Sequence, residues 1–469
     1  MFPSPMAPTL TAGHLPVLLG IAVLAGCTVG PDYQRPPVAV PATHRGAAAT
    51  AESTADTPWR GVFRDPVLRD LIDEALRNNQ DLAQATHRIE EARAALGAAR
   101  SEAFPWVEGS AAASRTRRPE PLPGINPHVD EFDLLAGLSW EIDLWGRIRR
   151  STEAARATLL ATDYGRATVE TTLVASVASS YADLRTYDRQ LEISRQTVES
   201  RKKSLALVQE RAKQGVASDL EVGQAEVLLR QAEVKVPQAE QAIGVTENAI
   251  CVLLGRHPGP VARGRVLENL DTSLRLKAGM PSRLLETRPD LLAAEQEMVA
   301  ANANIGVAKA AYFPALSLTG RGGLISSDID DLLKDTAKTW TLAPEVTAPI
   351  FNAGRIGFGV KAAEARQKQA LAAYLGAIQN AFREASDAII TFDKAGEVVG
   401  KQEALVAALA RVASLAATRY EGGASSYLEV LDAERNLFDG QLALTEARRS
   451  RILAAVKTYR ALGGGWDIH

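Results

Sequence analysis

The chain has 469 residues, a formal net charge of −3 and only 5% aromatic residues. The absence of a basic excess argues against a nucleic-acid-binding protein. Few aromatic side chains and long alanine-rich runs favour slender, closely packed helices over one large globular core.

The first 27 residues have the features of an export signal. Residues 15–25 are apolar but too few to span a bilayer as a stable helix, and they end in Leu24-Ala25-Gly26-Cys27. Small residues before a cysteine resemble a bacterial lipobox, which predicts removal of residues 1–26 and lipid on Cys27. Because the segment has His14 but no lysine or arginine, an ordinary secretory signal with an incidental cysteine is the alternative.

A proline-rich stretch follows the cysteine, and residues 27–60 are predicted to be a lipid-anchored tether. Regular structure begins near Asp65-Pro66, where apolar residues at helical spacing predict a single helix up to about Phe104. Pro105 ends this pattern, because proline cannot continue a helix. Residues 106–116 then give a weak strand signal.

The strongest strand signal covers residues 132–143. Apolar side chains occupy the even positions, and acidic or small residues fill most of the odd ones. Residues 339–350 repeat this alternation around Trp340, after a further expected strand at about 314–324. Export, tryptophan in the strands and lengths of about 9–11 residues favour a transmembrane β-barrel. The alternative is a half-buried strand in a soluble sheet.

Each strand pair is followed by a long helical segment without proline and with apolar residues at near-heptad spacing. The first, from Gly146 to about Lys213, would be roughly 100 Å long at the rise of an α-helix. Gly215 and Gly423 predict left-handed helix ends. The return helices are predicted to begin with capping boxes formed by Ser218 with Glu221 and by Ser426 with Glu429. Each half of the chain therefore contains a predicted αα-hairpin with an exposed tip.

The chain repeats itself at an offset of about 208 residues. The matched segments are Gly146-Arg147-Ile148 with Gly354-Arg355-Ile356, Ser218-Asp219-Leu220-Glu221 with Ser426-Tyr427-Leu428-Glu429 and, at an offset of 209, Phe104-Pro105 with Phe313-Pro314. A register held over most of the chain predicts tandem duplication. Repeat 1 is predicted over residues 61–255 and repeat 2 over residues 282–466, with a connector at 256–281.

Four strands per chain are too few for a closed barrel, since the smallest membrane barrels have about eight. Lipid does not tolerate an open sheet edge, so several chains must share one barrel, and three chains would supply 12 strands. The helices are too long for a membrane. They are expected to project into an aqueous compartment and to form a tube there.

Four motifs spread over nearly the whole chain carry a family resemblance. They are Cys27-Thr28-Val29-Gly30-Pro31-Asp32-Tyr33-Gln34-Arg35-Pro36, Phe63-x-Asp65-Pro66-x-Leu68, Arg288-Pro289-Asp290, and Tyr459-Arg460-Ala461-Leu462-Gly463-Gly464-Gly465-Trp466. With these motifs the chain resembles the outer-membrane factor family, the TolC-like channels of tripartite efflux pumps, in its lipoprotein branch.

The resemblance implies a homotrimer in the bacterial outer membrane, anchored by lipid, including palmitate, on Cys27. The fold would be a mixed membrane fold, a 12-stranded transmembrane β-barrel continued by a long α-helical periplasmic tunnel. An equatorial belt would form around residues 256–281. The channel would passively conduct drugs or other small molecules, an activity that leads to antibiotic resistance.

The implied partners are a periplasmic adaptor (membrane fusion) protein, an inner-membrane transporter of the resistance-nodulation-division type and outer-membrane lipid. Nucleic acid is not a partner. Two other functions remain open. A channel of the same build could serve type I protein secretion, and a lipid-anchored periplasmic coiled-coil scaffold would need no pore. The tryptophan-bearing strands at equivalent repeat positions argue against the scaffold.

By position, the hairpin tips are expected to dock the adaptor. The expected tip residues are Gln214, Gly215, Val216, Ala217, Gly422, Gly423, Ala424 and Ser425. Family members often carry a ring of carboxylates one turn above the second tip, and this chain has no acid there. The remaining gate candidates are Glu210, Arg211, Arg419 and Tyr420. The alternative is that they are solvated helix-end residues, where an exposed ion pair would be weak.

No sequence motif points to an enzyme. The six histidines form no His-x-x-x-His pair, and the sequence has no Cys-x-x-Cys, P-loop or Gly-x-Ser-x-Gly motif. We therefore expect no catalytic residue, no cofactor and no metal ligand.

Overall fold

The computed structural model describes residues 28–46, 57–117, 119, 127–270, 279–464 and 466. The predicted signal peptide and Cys27 lie outside the described residues, and so do residues 271–278 of the predicted connector. Among the described residues, none of the helices combines the length and the apolar character needed to cross a membrane.

The described residues form seven helices longer than four residues and one sheet. The helices are α1 (Pro66–Asn78), α2 (Gln80–Ser101), α3 (Arg147–Lys213), α4 (Asp219–Leu253), α5 (Pro289–Ala310), α6 (Arg355–Glu421) and α7 (Tyr427–Ala461). Shorter helical turns are Trp59–Val62, Leu267–Leu270, Pro281–Arg283, Leu284–Thr287, Ile329–Asp331 and Asp335–Ala337.

The predicted duplication is confirmed by helices of equal length in the two halves. Helices α3 and α6 each have 67 residues, α4 and α7 each have 35, and α2 and α5 each have 22. The long helices and their return partners begin and end at the same offset of 208 residues, for example at Arg147 and Arg355.

The segment that the sequence predicts as one helix up to Phe104 is two helices, because Asn79 interrupts it. The backbone of Asn79 is extended, with ψ of 130°. Its side-chain oxygen accepts a hydrogen bond from the Leu82 N–H at 3.0 Å, and its side-chain amide donates to the Leu253 carbonyl at 3.0 Å. The asparagine thus caps the start of α2, as residues of this type commonly do.

The sheet has four antiparallel strands in the order β1 (Trp106–Arg117), β2 (His128–Ile142), β3 (Ala315–Ser326) and β4 (Lys338–Thr347). All four predicted strands are present. β2 begins four residues earlier than predicted, and β4 ends three residues earlier, before Ile350. Strands β1 and β4 are the two edges of the sheet.

The chain divides into two compact units. Unit 1 consists of residues 1–37, 89–162 and 294–374, and unit 2 consists of residues 38–88, 163–293 and 375–469, as far as they are described. Each unit takes segments from both halves of the chain. The predicted repeats therefore describe the order along the chain, whereas the compact units combine equivalent parts of the two repeats.

In unit 1, residues 28–37 lie against the helices. The Val29 N–H donates to the Trp145 carbonyl at 3.0 Å, just before α3. The Tyr33 hydroxyl donates to the Glu295 carboxylate on α5 at 3.1 Å. This part of the predicted tether is therefore bound to the body of unit 1.

In unit 2, Asp65 and Tyr181 form a buried polar network. Asp65 accepts hydrogen bonds from the Val67 N–H at 2.8 Å, the Arg265 N–H at 2.7 Å and the Tyr181 hydroxyl at 3.2 Å. The Tyr181 oxygen also accepts from the Gly264 N–H at 2.8 Å. Burial, with a contribution from Asp65, raises the pKa of Tyr181 to about 12. The network thus joins the start of α1 to residues 264–265 of the predicted connector.

Candidate functional site

The two predicted hairpin tips share one apolar core in unit 2. The buried side chains of this core come from α3, α4, α6 and α7, and they are Val208, Ala225, Leu228, Ala416, Tyr420, Tyr427, Val430, Leu431 and Ala433. The rings of Tyr420 and Tyr427 lie 5.0 Å apart at an angle of 49°. Because protein interiors are close-packed, this shared core holds the turn between α3 and α4 against the turn between α6 and α7.

The first reversal joins α3 to α4 with the predicted geometry. Gly215 has φ of +71°, in the left-handed region that glycine adopts readily, and the Val216 N–H donates to the Arg211 carbonyl at 2.9 Å. The Ser218 N–H donates to the Glu221 carboxylate at 2.7 Å, and the Glu221 N–H donates to the Ser218 hydroxyl at 3.3 Å. This capping box is confirmed.

The second reversal joins α6 to α7, and its predicted capping box is wrong. Gly423 is left-handed, with φ of +73°, but the Ser426 side chain makes no capping hydrogen bond. Glu429 instead lies 3.9 Å from the Arg419 guanidinium, which also donates to the Ala424 carbonyl at 3.3 Å. The second return helix therefore begins without a side-chain cap.

The predicted tip residues are mostly accessible. Val216 has 63% of its surface exposed although it is apolar. Ala217 and Ser425 are half-buried beside the shared core, and the other members of the set are exposed, namely Gln214, Gly215, Val216, Gly422, Gly423 and Ala424. Two apolar residues close to the tips, Leu220 and Leu428, are also exposed, at 70% and 62%.

Two of the four gate candidates contact each other. The Arg211 guanidinium lies over the Tyr420 ring, 4.5 Å from its centroid, and Arg211 Nη1 donates to the Tyr420 carbonyl at 3.4 Å. Burial raises the pKa of Tyr420, and the charge of Arg211 opposes that shift in part. A cation over an aromatic face is attracted to it, so this contact links the end of α3 to the end of α6.

The other two gate candidates make local contacts at the surface. Glu210 accepts a hydrogen bond from the Gln214 side chain at 3.1 Å and lies 3.5 Å from Lys213, all at the end of α3. Arg419 contacts Glu429 and the Ala424 carbonyl, both across its own reversal. The structure therefore brings Arg211 and Tyr420 together and leaves Glu210 and Arg419 apart from that pair.

A buried charged cluster beside the tips was not predicted from the sequence. Arg201 is 3% exposed, its Nη1 donates to the Leu228 carbonyl at 2.5 Å, and its guanidinium lies 5.0 Å from the Phe438 ring centroid. Glu434 accepts a hydrogen bond from the Ser204 hydroxyl at 3.2 Å. Burial lowers the pKa of Arg201 and raises the pKa of Glu434, and the two charges oppose these shifts.

The positions of Arg201 and Glu434 within apolar stripes of the sequence could have predicted their burial. Arg201 stands between Val198 and Leu205 at helical spacing, within the apolar seam of α3. Glu434 precedes Phe438 by one helical turn on the apolar side of α7. A charge inside an apolar stripe predicts a buried, partnered group, because an isolated buried charge is costly.

Comparison with known proteins defines the class of the chain. A family model described as outer membrane efflux protein matches residues 71–256 and 280–464. The solvent efflux pump outer membrane protein SrpC of Pseudomonas putida is 36% identical over 461 residues, with 96% of this chain and 98% of that protein covered. The cation efflux system protein CusC of Escherichia coli (strain K12) is 35% identical, with 96% and 99% covered.

The fold is also similar to solved channel structures. The open state of the Neisseria gonorrhoeae MtrE outer membrane channel superimposes with a TM-score of 0.86 at 30% identity, covering 94% of this chain and 98% of that one. The sequence and fold similarities thus define an outer-membrane channel protein. The chain belongs to the outer membrane efflux protein family. It is the outer-membrane channel component of an efflux system, in a family of transporters rather than enzymes.

Proposed function

We propose that three copies of this chain form one passive channel across the outer membrane. The observation that carries this proposal is the four-stranded antiparallel sheet, whose edge strands β1 and β4 have no further strand beside them among the described residues. Apolar side chains near these edges are exposed, among them Val107 at 66% and Trp340 at 81%. Three such sheets would close a 12-stranded barrel without an open edge, as lipid requires.

The long helices α3, α4, α6 and α7 would form the wall of a periplasmic tunnel, with residues 256–281 in a belt around it. At its far end the two tips would dock the adaptor protein, which connects the channel to an inner-membrane transporter of the resistance-nodulation-division type. Exposed Val216, Leu220 and Leu428 support this role, because accessible apolar residues clustered at one end are typical of protein contact sites.

The contact between Arg211 and Tyr420 would stabilise the closed packing of the tips. Adaptor binding would then favour a second packing in which the ends of α3 and α6 move apart, a shift between two populations. Glu210 and Arg419 would contribute less, since exposed ion pairs have small free energies, about 0–1 kcal/mol.

The proposed cargo is small molecules, including drugs. One relative is named for solvent efflux and another for cation efflux, although they are almost equally similar to this chain. This supports a generic pore whose cargo is selected by the transporter. Nothing in the proposed mechanism requires a cofactor, because the channel itself would supply no energy.

Cys27 is proposed to carry the lipid anchor. The residues that follow it are bound to unit 1 beside Trp145, near the end of β2. Lipid on Cys27 would therefore supplement the barrel as a second membrane attachment and would not replace it.

The test uses the full-length protein purified from outer membranes in detergent. Light scattering should give the mass of a trimer, denaturing gels should show a heat-modifiable band, and planar bilayers should show conductance. Cys27→Ser should remain in the membrane fraction, because the barrel holds it there. A monomer without conductance, or a soluble Cys27→Ser protein, would contradict the proposed channel.

A further inference from the structure

The two faces of the sheet in unit 1 differ in the side chains that they carry. Successive residues of a strand point to opposite faces, and residues directly opposite each other on paired strands point to the same face. The observed register therefore assigns every strand residue to one face. The apolar face contains the row Val107, Leu138, Gly320 and Leu342, and the polar face contains the row Glu108, Gly137, Arg321 and Thr341.

The two faces also carry opposite charges. Among the described strand residues, the charged side chains of the polar face are mostly carboxylates, namely Glu108, Glu131, Asp133, Glu141 and Glu345, beside the guanidinium of Arg321. The apolar face has mostly basic side chains, namely Arg115, Arg117 and Lys338, beside the carboxylate of Asp130. Charge is therefore segregated by face, and the basic excess lies on the face that also carries the apolar residues.

The three basic residues of the apolar face lie at the end of the sheet that is farther from the long helices. Arg115 and Arg117 belong to the last residues of β1, and Lys338 is the first residue of β4. The helices adjoin the opposite strand ends, since α2 precedes β1 and α6 follows β4. In the proposed channel the helices extend into the periplasm, so these three residues lie at the outer surface. We call them the basic rim.

Below the basic rim, the apolar face is long enough to cross the hydrocarbon of a membrane. On β2 every residue of this face from Phe132 to Ile142 is uncharged, and Asp130 precedes this stretch. At the usual rise and tilt of strands in membrane barrels, the stretch spans about 25 Å along the membrane normal, which is the height of their apolar band. Asp130 and its neighbour Arg115 therefore lie at the level of the lipid headgroups.

The basic rim is accessible, and its contacts within the chain are weak. The side chains of Arg115 and Lys338 are 72% and 69% exposed, and Arg117 is exposed as well. Arg115 donates to the Asp130 carboxylate at 2.8 and 3.0 Å, and Lys338 lies 2.5 Å from the Asp335 carboxylate. Exposed ion pairs of this kind contribute little free energy, so the basic groups can bind a further anion at small cost.

The position of the basic rim identifies the kind of anion. The apolar face of the proposed barrel is in contact with lipid, so the anions next to the rim are the phosphate groups of lipids. A guanidinium matches phosphate oxygens with two parallel hydrogen bonds, and an ammonium attracts them as a point charge. Trp340, two residues after Lys338 on the same face, is 81% exposed and suits the same interfacial level, where tryptophan is enriched.

We propose that the basic rim, Arg115 with Arg117 and Lys338, binds the phosphate groups of anionic lipids in the outer leaflet of the outer membrane. Asp130 limits the affinity, because its carboxylate repels phosphate and competes for Arg115. The proposal rests on the membrane channel proposed above and adds a lipid-binding site to it.

Removal of the basic rim tests the site. Dioleoyl phosphatidic acid is titrated into the full-length protein in detergent after removal of bound lipid, and native mass spectrometry measures the bound lipid. A variant with Arg115→Gln, Arg117→Gln and Lys338→Gln should bind it about tenfold more weakly or worse, because each basic residue near lipid phosphates contributes to the attraction. The wild-type protein should bind dioleoylglycerol, which has no phosphate, far more weakly than phosphatidic acid.

A control variant separates the site from the net charge of the protein. Lys202→Gln, Lys203→Gln and Lys235→Gln remove the same charge from exposed positions on α3 and α4. This variant should bind phosphatidic acid as the wild type does. Equal affinities of the rim variant and the control variant, or a wild type that binds both lipids equally, would overturn the proposal.

A gain of affinity tests the site independently, even if the rim variant fails to fold. Asp130→Asn should strengthen the binding of phosphatidic acid several-fold, because it removes the repulsion and frees Arg115. The matched control is Glu131→Gln, which removes the neighbouring exposed carboxylate on the polar face and should change nothing. Equal gains in the two variants would attribute the effect to net charge and overturn the site.

Two further measurements identify the ligand and protect the proposed function. Inorganic phosphate at millimolar concentration should not displace phosphatidic acid from the wild type, and complete displacement would assign the site to free phosphate and overturn the lipid proposal. Conductance of the wild type is measured in parallel. A conducting protein without preference for phosphatidic acid would lose only the lipid site, whereas a protein that does not conduct would refute the channel itself.

Discussion

Glu434 is a carboxylic acid held beside the shared core of the two tips. Burial raises its pKa, and the Ser204 hydroxyl and the Arg201 charge oppose the shift. In the unfolded chain this carboxyl has its ordinary pKa. Between the ordinary and the raised value the folded state binds more protons than the unfolded state, so the free energy of unfolding falls as the pH rises through that window.

Glu434→Gln should remove this pH dependence, because the amide does not titrate. We expect the wild-type melting temperature to fall more steeply than that of the variant as the pH rises from the ordinary carboxyl pKa. Thermal unfolding in detergent at a series of pH values measures the difference. Asp432→Asn, an exposed carboxylate on the same helix, is the control. Parallel wild-type and Glu434→Gln curves would contradict the prediction.

Tyr181→Phe should destabilise unit 2 without changing its packing. The variant loses the hydroxyl that donates to Asp65 and accepts from the Gly264 N–H. Leaving buried polar groups without partners costs about 1–3 kcal/mol. Denaturant unfolding measures this loss, and Tyr187→Phe, which is only half-buried on the same helix, is the control. Equal effects of the two substitutions would show that the hydroxyl network contributes nothing.

At the scale of elements, the two return helices start differently although their sequences are alike. Ser218→Ala should cost about 1 kcal/mol, because it removes a helix cap, whereas Ser426→Ala should cost little. Hydrogen exchange at the first turns of α4 and α7 measures the two effects separately. Each serine variant serves as the control for the other. Equal losses of protection in the two helices would refute the difference.

The ends of α3 and α6 give a second prediction at this scale. Arg211→Ala should raise the open fraction of the channel several-fold, since it removes the contact over the Tyr420 ring. Single-channel conductance in planar bilayers measures the open fraction. Glu210→Ala, which removes only local surface contacts, should leave conductance unchanged. Unchanged conductance in Arg211→Ala would exclude this contact from gating.

Most elements could be predicted from the sequence, because their signals are local. Period-two alternation predicted β2 and β4, and near-heptad spacing with left-handed glycines predicted the hairpins. The features that the sequence did not predict depend on contacts between different elements. The break at Asn79 is stabilised by the Leu253 carbonyl, and the missing cap at Ser426 has no signal in a sequence that matches the capped Ser218 segment. The surroundings of Arg201 and Glu434 depend on contacts between three helices, α3, α4 and α7.

At the scale of the whole molecule, several exposed positions on α2 and α6 are the repeat equivalents of positions packed between α3 and α5. Equivalent glycines have different surroundings. The Arg150 side chain packs on Gly306, whereas a Cβ added to Gly97 would meet nothing within 4 Å. The sequence supplied the number of strands in one copy, and the barrel shared by several copies stays a prediction. The sequence could not give the register of the strands, which the observed pairing of β2 with β3 shows.

In the proposed trimer, the difference between Arg150 and its repeat equivalent Phe358 would affect how the ring of repeats can evolve. A ring of six identical repeats would have one kind of interface, and every mutation would alter all six interfaces. Fusing two repeats into one gene creates two kinds of interface that alternate around the axis. Mutations can then change each kind independently. The interfaces within a copy can then be stabilised by Arg150 and the N-terminal segment. The interfaces between copies can change separately, in favour of assembly or of opening in threefold symmetry.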